Sequence, residues 1–204
     1  MKPVERLWPG ETVAILASGP SLTQEDADYV RGKARVIAIN TSYQMAPWAD
    51  VLYAADEKWW RWNKGVPEFH GMKYGLTKGS ERYGVTVLRR GVDTGLSLNP
   101  AVLSAGKNGG YQAINLAVLL GASRILLLGY DMQMGPNGKG HWHPDHPNKS
   151  RANYQAFLSF FSTLVQPLKD AGVSIVNCTT RTALHAFPKM ALREALPVAA
   201  EVSA

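Results

Sequence analysis

Cysteine is nearly absent: Cys178 is the only one in 204 residues. A single thiol cannot form an internal disulfide, which excludes the stapled extracellular scaffolds and fits a reducing, cytoplasmic setting. Long apolar runs are also missing. No stretch reaches the roughly 18 residues of a membrane-crossing helix, and Met1 to Gly10 shows no apolar signal core. Acid is scarce in the middle of the chain. From Glu57 to Arg90 three acids (Glu57, Glu68, Glu81) stand against eight basic residues, so this segment supplies +5 of the formal +6 charge. Such an excess suits an anionic partner such as a nucleotide, an acidic sugar or a polynucleotide, although a solvated surface also accounts for it.

Apolar residues are plentiful, at 46% against 19% charged. That is ample for one core and too little for two generous domains. The expected architecture is a single α/β domain over residues 1–196, a Rossmann-like three-layer fold with a mainly parallel sheet, followed by a flexible tail at 197–204. Its centre is Lys107 to Asp131, KNGGYQAINLAVLLGASRILLLGYD. Asn108, Gly109 and Gly110 form a turn that brings bare backbone near a ligand. Tyr111 to Leu120 is apolar on almost every face and closes on Gly121, as a buried helix does. Ile125 to Leu128 is an unbroken aliphatic strand that stops at Gly129, Tyr130 and Asp131.

Other strands end in the same way. Thr12 to Ala17 runs into Ser18, Gly19, Pro20 and Ser21, and Ser21 with Gln24 fits a capping box that opens a helix. A strand, a glycine turn and a helix start make a natural seat for phosphate. Arg35 to Ile39 ends at Asn40, Thr41 and Ser42, and Asp50 to Ala54 ends at Asp56. Val173 to Val176 ends at Asn177, Cys178 and Thr179. Ligands of open α/β sheets bind at the carboxyl ends of the strands, so this recurrence locates a site.

Two segments resist regular reading. Residues 57–106 form an irregular Trp-rich insertion or lid, in which Trp59, Trp60 and Trp62 cluster with lysine and arginine and short strand-like runs fall at Lys73 to Leu76 and Val85 to Leu88. They suit a stacking platform for single-stranded nucleic acid, a cover for the sheet edge, or a subunit interface in a homo-oligomer. Tyr130 to Lys149 is a Gly-, Pro- and His-rich loop. His141, His143 and His146, with Asp145, fit a general base, metal ligands or ordinary loop residues. Beyond it Ser150 caps a helix whose apolar face runs from Tyr154 to Leu168, and Pro167 must kink or end it.

In this order, the SGPSL turn, the strand ending at Asn40, the run Gly109 to Met132, the His-bearing loop and VNCTTRTALHAFP resemble a Rossmann-like superfamily. It includes the small single-domain bacterial sialyltransferases, the 6-hydroxymethyl-7,8-dihydropterin pyrophosphokinase-like domains, and many short phage members. The resemblance implies that Ser18, Gly19, Pro20 and Ser21 hold phosphate or sugar, with Ser18 where the sialyltransferases usually carry asparagine. It matches Asn40 to their second-strand asparagine, and Asn108, Gly109 and Gly110 to their nucleotide-contacting Ser-Gly segment. Ser42, Tyr130, Asp131 and Thr179 complete the expected nucleotide site. One of His141, His143 and His146 would be the base.

The implied activity is a nucleotide-dependent transferase, foremost a sialyltransferase-like glycosyltransferase using a nucleotide-activated sugar and needing no cofactor. One alternative is a pyrophosphokinase or other phosphoryl transferase whose magnesium is held by Asp131 and Asp56. Another is a phage accessory protein that binds nucleotide or single-stranded nucleic acid without turnover.

Overall fold

The computed structural model describes residues 2–144 and 153–197. His146, Asp145 and Ser150, and the expected tail from residue 198 on, lie outside the described residues.

The short aliphatic runs become strands, and the longer apolar run from Tyr111 to Leu120 becomes a helix. In chain order the elements begin with β1 (Thr12–Leu16), α1 (Gln24–Val30), β2 (Arg35–Ile39), β3 (Val51–Tyr53), α2 (Glu57–Trp62), β4 (Met72–Gly75) and β5 (Thr86–Val87). A small excursion follows, in which β6 (Arg89–Arg90) pairs β7 (Val102–Leu103). The chain then forms α3 (Gly109–Leu120), β8 (Arg124–Leu128), α4 (Tyr154–Ser162), α5 (Val165–Asp170), β9 (Ser174–Asn177) and α6 (Leu192–Ala195).

Seven strands form one parallel sheet in the order β5-β4-β3-β2-β1-β8-β9. Side chains alternate across it, as pleating requires. Val13, Ile15, Ile37, Ile39, Ile125 and Leu127 face a core shared with α3. Ala14, Leu16, Val36, Ala38, Leu126 and Leu128 face the other core, shared with Ala27 and Val30 of α1 and with Trp59 and Trp60 of α2. Burial on both faces explains why these strands read as unbroken apolar runs.

α3 is buried along its whole length after Gly109. Its polar side chains are satisfied internally. Tyr53 Oη donates to Gln112 Oε1 at 2.8 Å, and Asn115 Oδ1 accepts from the amides of Ser97 and Ser104. Asn115 thereby pins the β6–β7 excursion onto the helix. Gly121 ends α3 at φ +109°, a conformation that costs a residue with a Cβ about 1–2 kcal/mol.

Three local expectations are corrected. α1 is capped by Thr23, which exchanges bonds with Asp26, and not by Ser21 with Gln24. Asn153 caps α4, its side chain accepting the Ala156 amide. The apolar helix breaks at Thr163 and Leu164, so that Pro167 falls in the first turn of α5, where its missing N–H costs least. The Trp-rich segment supplies α2, the strand β4 and the edge strand β5, and the two strands fall on the strand-like runs Lys73 to Leu76 and Val85 to Leu88. Trp59 and Trp60 are buried against the sheet, edge to face at 5.0 Å, and Trp60 Nε1 donates to Ala54 O. They cover the sheet edge, and of the three only Trp62 is exposed.

Candidate functional site

From β1 the chain adds strands on one side through β5, and from β8 on the other. The order therefore reverses between β1 and β8, and a crevice opens above the carboxyl ends of these neighbours. Ser18 and Gly19 leave β1 there, Asn40 leaves β2, and Gly129 and Asp131 leave β8. All of them line one cleft, together with Asn108, Gly109 and Gly110 from the start of α3, and with His141. The four corners singled out in the sequence share one rim.

Each corner has a local cause. Asn40 turns sharply after β2 at φ +50°, in the left-handed region that asparagine tolerates best after glycine. Lys107 and Met132, beside the α3 and β8 corners, take φ of +52° and +49°. Strained backbone of this kind gathers where surrounding packing dictates it. Asn108 caps α3, its Oδ1 accepting the Gly110 and Tyr111 amides at 2.7 and 3.2 Å. The Gly109 N–H has no acceptor among the described residues and faces the cleft end of a twelve-residue helix.

The first turn differs from the open phosphate cradle expected. Gly19 N–H donates to Gly129 O at 2.9 Å, and Ser21 N–H and Oγ–H donate to the two Asp131 carboxylate oxygens at 3.1 and 2.7 Å. These donors are spent on the protein itself. Gly19 is nevertheless obligatory, because a Cβ there would lie 2.0 Å from Asp131 Oδ1 and 2.3 Å from Gly129 O. The open donor is thus at α3, and the β1 turn is a wall.

Several expected ligand residues stand behind the cleft. Tyr130 is fully buried; its hydroxyl donates to Gly110 O at 3.0 Å, and its amide donates to Thr179 Oγ1 at 2.9 Å. Buried Ser42 donates to Ala17 O, and its oxygen lies 3.5 Å from Ser18 Oγ. Tyr130, Thr179 and Ser42 brace the lining. Asp56, at the end of β3, is three strands from Asp131, about 14 Å at ordinary strand spacing. The two carboxylates do not converge on one magnesium ion. Among the described residues no group of three or more metal-ligating side chains gathers.

The histidines separate. His141 lines the cleft, while His143 is buried with Nδ1 2.7 Å from Pro144 O. A carbonyl only accepts, so Nδ1 carries the proton. The two imidazoles stack 5.0 Å apart and 3° from parallel. Between them Trp142 N–H donates to Ser18 O at 3.2 Å, fastening this loop to the β1 turn.

Tyr154 and Phe157 at the start of α4 also line the cleft. The apolar periodicity assigned Tyr154 to the core. Its place in the first turn of the helix that follows the histidine loop was the available signal for a site role. Burial and the nearby Asp131 charge raise its phenol above the usual range. Burial likewise raises the Asp131 carboxyl above its ordinary value, opposed by the Ser21 bonds and by Arg181. No lysine or arginine is among the described lining residues. The nearby Lys107 ammonium lies over the Phe160 ring and 3.9 Å from Asp93.

No family model matches the chain, and no curated protein matches it. Among solved structures, the sialyltransferase CstII from Campylobacter jejuni, in complex with a substrate analogue, cytidine-5'-monophosphate, superposes with a TM-score of 0.54. The alignment covers 90% of this chain and 86% of that one at 13% identity. The fold is shared with a sialyltransferase. At that identity the likeness establishes the architecture, a single α/β domain with a parallel sheet. No helix among the described residues is long and apolar enough to cross a membrane.

Proposed function

We propose that this chain is a sialyltransferase-like glycosyltransferase whose donor is a sugar activated by a nucleoside monophosphate. The observation that carries the reading is the switch-point cleft. It gathers an open helix N-terminus, asparagine amides, a histidine and a tyrosine hydroxyl, on a fold shared with a CMP-bound sialyltransferase. The donor's charge follows from the lining. Without a lysine or arginine among the described lining residues, the seat offers dipoles and one amide. These suit a single phosphodiester charge better than a diphosphate or triphosphate, which calls for cations.

In this reading His141 takes the proton of the acceptor hydroxyl as its oxygen bonds to the anomeric carbon. The anomeric carbon–phosphate oxygen bond breaks, and the electron pair leaves on the phosphate. The Gly109 N–H and the Tyr154 hydroxyl donate to the departing phosphate oxygens, where charge develops. His143, held by Pro144, sets the ring plane of His141.

The other two readings have less support. Asp131 and Asp56 stand apart, and both Asp131 oxygens are already bonded by Ser21, so no magnesium-dependent step is drawn through them. The nucleic-acid reading loses its stacking platform, since Trp59 and Trp60 are interior.

A thermal-shift series with CMP, CDP, UDP and ATP, each with and without magnesium, tests the assignment. CMP alone should raise the melting point, by an amount equivalent to about 2.7 kcal/mol at a hundredfold excess over its dissociation constant. Stabilisation only by ATP with magnesium would overturn it, as would no response to any cytidine nucleotide.

A further inference from the structure

The β1 turn is held from two sides by groups distant in sequence. Below it, the Asp131 carboxylate accepts the amide and the hydroxyl of Ser21 and packs against Gly19 so closely that no side chain fits there. Above it, Ser18 O accepts the amide of Trp142, the residue between the two stacked histidines. Asp131 is itself anchored, its carbonyl accepting Ala183 N–H at 2.8 Å on the loop after β9. A rigid path thus runs from that loop through Asp131 and the turn to His141.

We propose that Asp131 is a positioning residue: its ionised carboxylate fixes the Ser18–Ser21 turn, and through Ser18 the histidine loop, in the shape that accepts nucleotide. It does this without contacting phosphate, which a carboxylate would repel. The inference rests on the nucleotide-cleft reading above. The ionised form matters because it accepts from the Ser21 amide and hydroxyl together. A protonated carboxyl, or an amide in its place, keeps one acceptor and presents a hydrogen at the other position, so that the Ser21 hydroxyl must turn from donor to acceptor. The other charged and titratable groups acting on this carboxylate are Arg181, on the loop after β9, and Tyr154, at the start of α4. His141 lines the same cleft.

The test compares CMP dissociation constants of the wild type, Asp131→Asn and Ser21→Ala between pH 4 and pH 8. Asn stands in for the protonated acid, so each pH yields a ratio in which the titration of CMP and of other groups cancels. Asp131→Asn should bind at least tenfold more weakly at pH 8, the ratio should shrink toward one at pH 4, and Ser21→Ala should be intermediate. Thr182→Val, which loosens the same strand exit outside the cleft by removing the hydroxyl that donates to Tyr130 O and accepts from the Asn177 side chain and the Leu184 amide, should leave the constant within twofold. A pH-independent ratio, or equal losses in Thr182→Val, would reduce Asp131 to a general structural role. Unchanged binding in both Asp131→Asn and Ser21→Ala overturns the proposal while the nucleotide reading stands. A wild type that binds no CMP at any pH overturns both. If Asp131→Asn does not fold, a loss in Ser21→Ala confined to the higher pH values supports the proposal, and its absence overturns it.

Discussion

The hydroxyl of Tyr130 reaches the carbonyl of Gly110 at 3.0 Å, tying the exit of β8 to the first turn of α3. Both groups are buried, and a Cβ on Gly110 would lie 2.7 Å from the Tyr130 ring. Tyr130→Phe keeps the ring and removes one bond, while the carbonyl retains its helical partner. Stability should fall by about 0.5–1.5 kcal/mol, the usual net value of such a bond, and CMP affinity should weaken by less than tenfold. Chemical denaturation and calorimetric titration measure the two.

Gly109 separates helix stability from ligand binding. It is the first residue of α3, and a Cβ there would meet only Ile39 Cγ2, at an ordinary 3.5 Å. Asn108 before it is extended at φ −147°, ψ 132°, which a following proline prefers. Gly109→Pro should therefore leave the melting point unchanged or raised, since proline suits this position. It deletes the open amide, so CMP binding should weaken by about 1.5–3 kcal/mol, the scale of a charge-assisted bond. Gly109→Ala should bind within a few-fold of wild type. Equal binding in both variants would remove the amide from the mechanism.

His141 and His143 should differ in kind. His141→Ala should cut transfer from a CMP-activated sugar by about 10²–10⁴, the range of a lost general base, with CMP binding retained. His143 is buried and bonded to Pro144, so His143→Ala should lower the melting point as well as the rate. If His141→Ala keeps full turnover, the base lies elsewhere.

Asp131 should carry a cost in stability that acid relieves. Its folded carboxyl is raised above the ordinary 3.8 by burial. Just above that value the folded chain holds a proton that the unfolded chain has released, so stability falls as pH rises through the window. Measured against Asp131→Asn, the wild type should be most stable at the acid end and lose ground until the raised value is passed. A melting-point difference that is flat with pH would contradict the assigned cause.

Much of this architecture was legible because β1, β2 and β8 are sealed on both faces, and sealing leaves unbroken aliphatic runs such as Ile125 to Leu128. The cleft was legible because each strand ends abruptly in small polar residues. What escaped is tertiary. Ser21 has the composition of a helix cap, yet its hydroxyl serves Asp131, 110 positions away. The Gly19 amide sits in a plausible phosphate turn, yet it is spent on Gly129. β4 and β5 did not escape, since they fall on the strand-like runs Lys73 to Leu76 and Val85 to Leu88; at two to four residues, only their bounds could not be read. Tyr154 belongs to an apolar stripe, and only the docking of α4 against the cleft shows that it faces the site.

The cleft is walled by two strands, β1 and β8, in which Thr12 lies beside Arg124. The polypeptide between them folds into the far half of the sheet and returns before the pair can close. No nascent chain that stops short of Asp131 possesses a seat for ligand, whatever else it has already built. Occupancy is thus a certificate of completed assembly: nucleotide can stabilise only molecules whose two halves have met, and it can rescue none that have not.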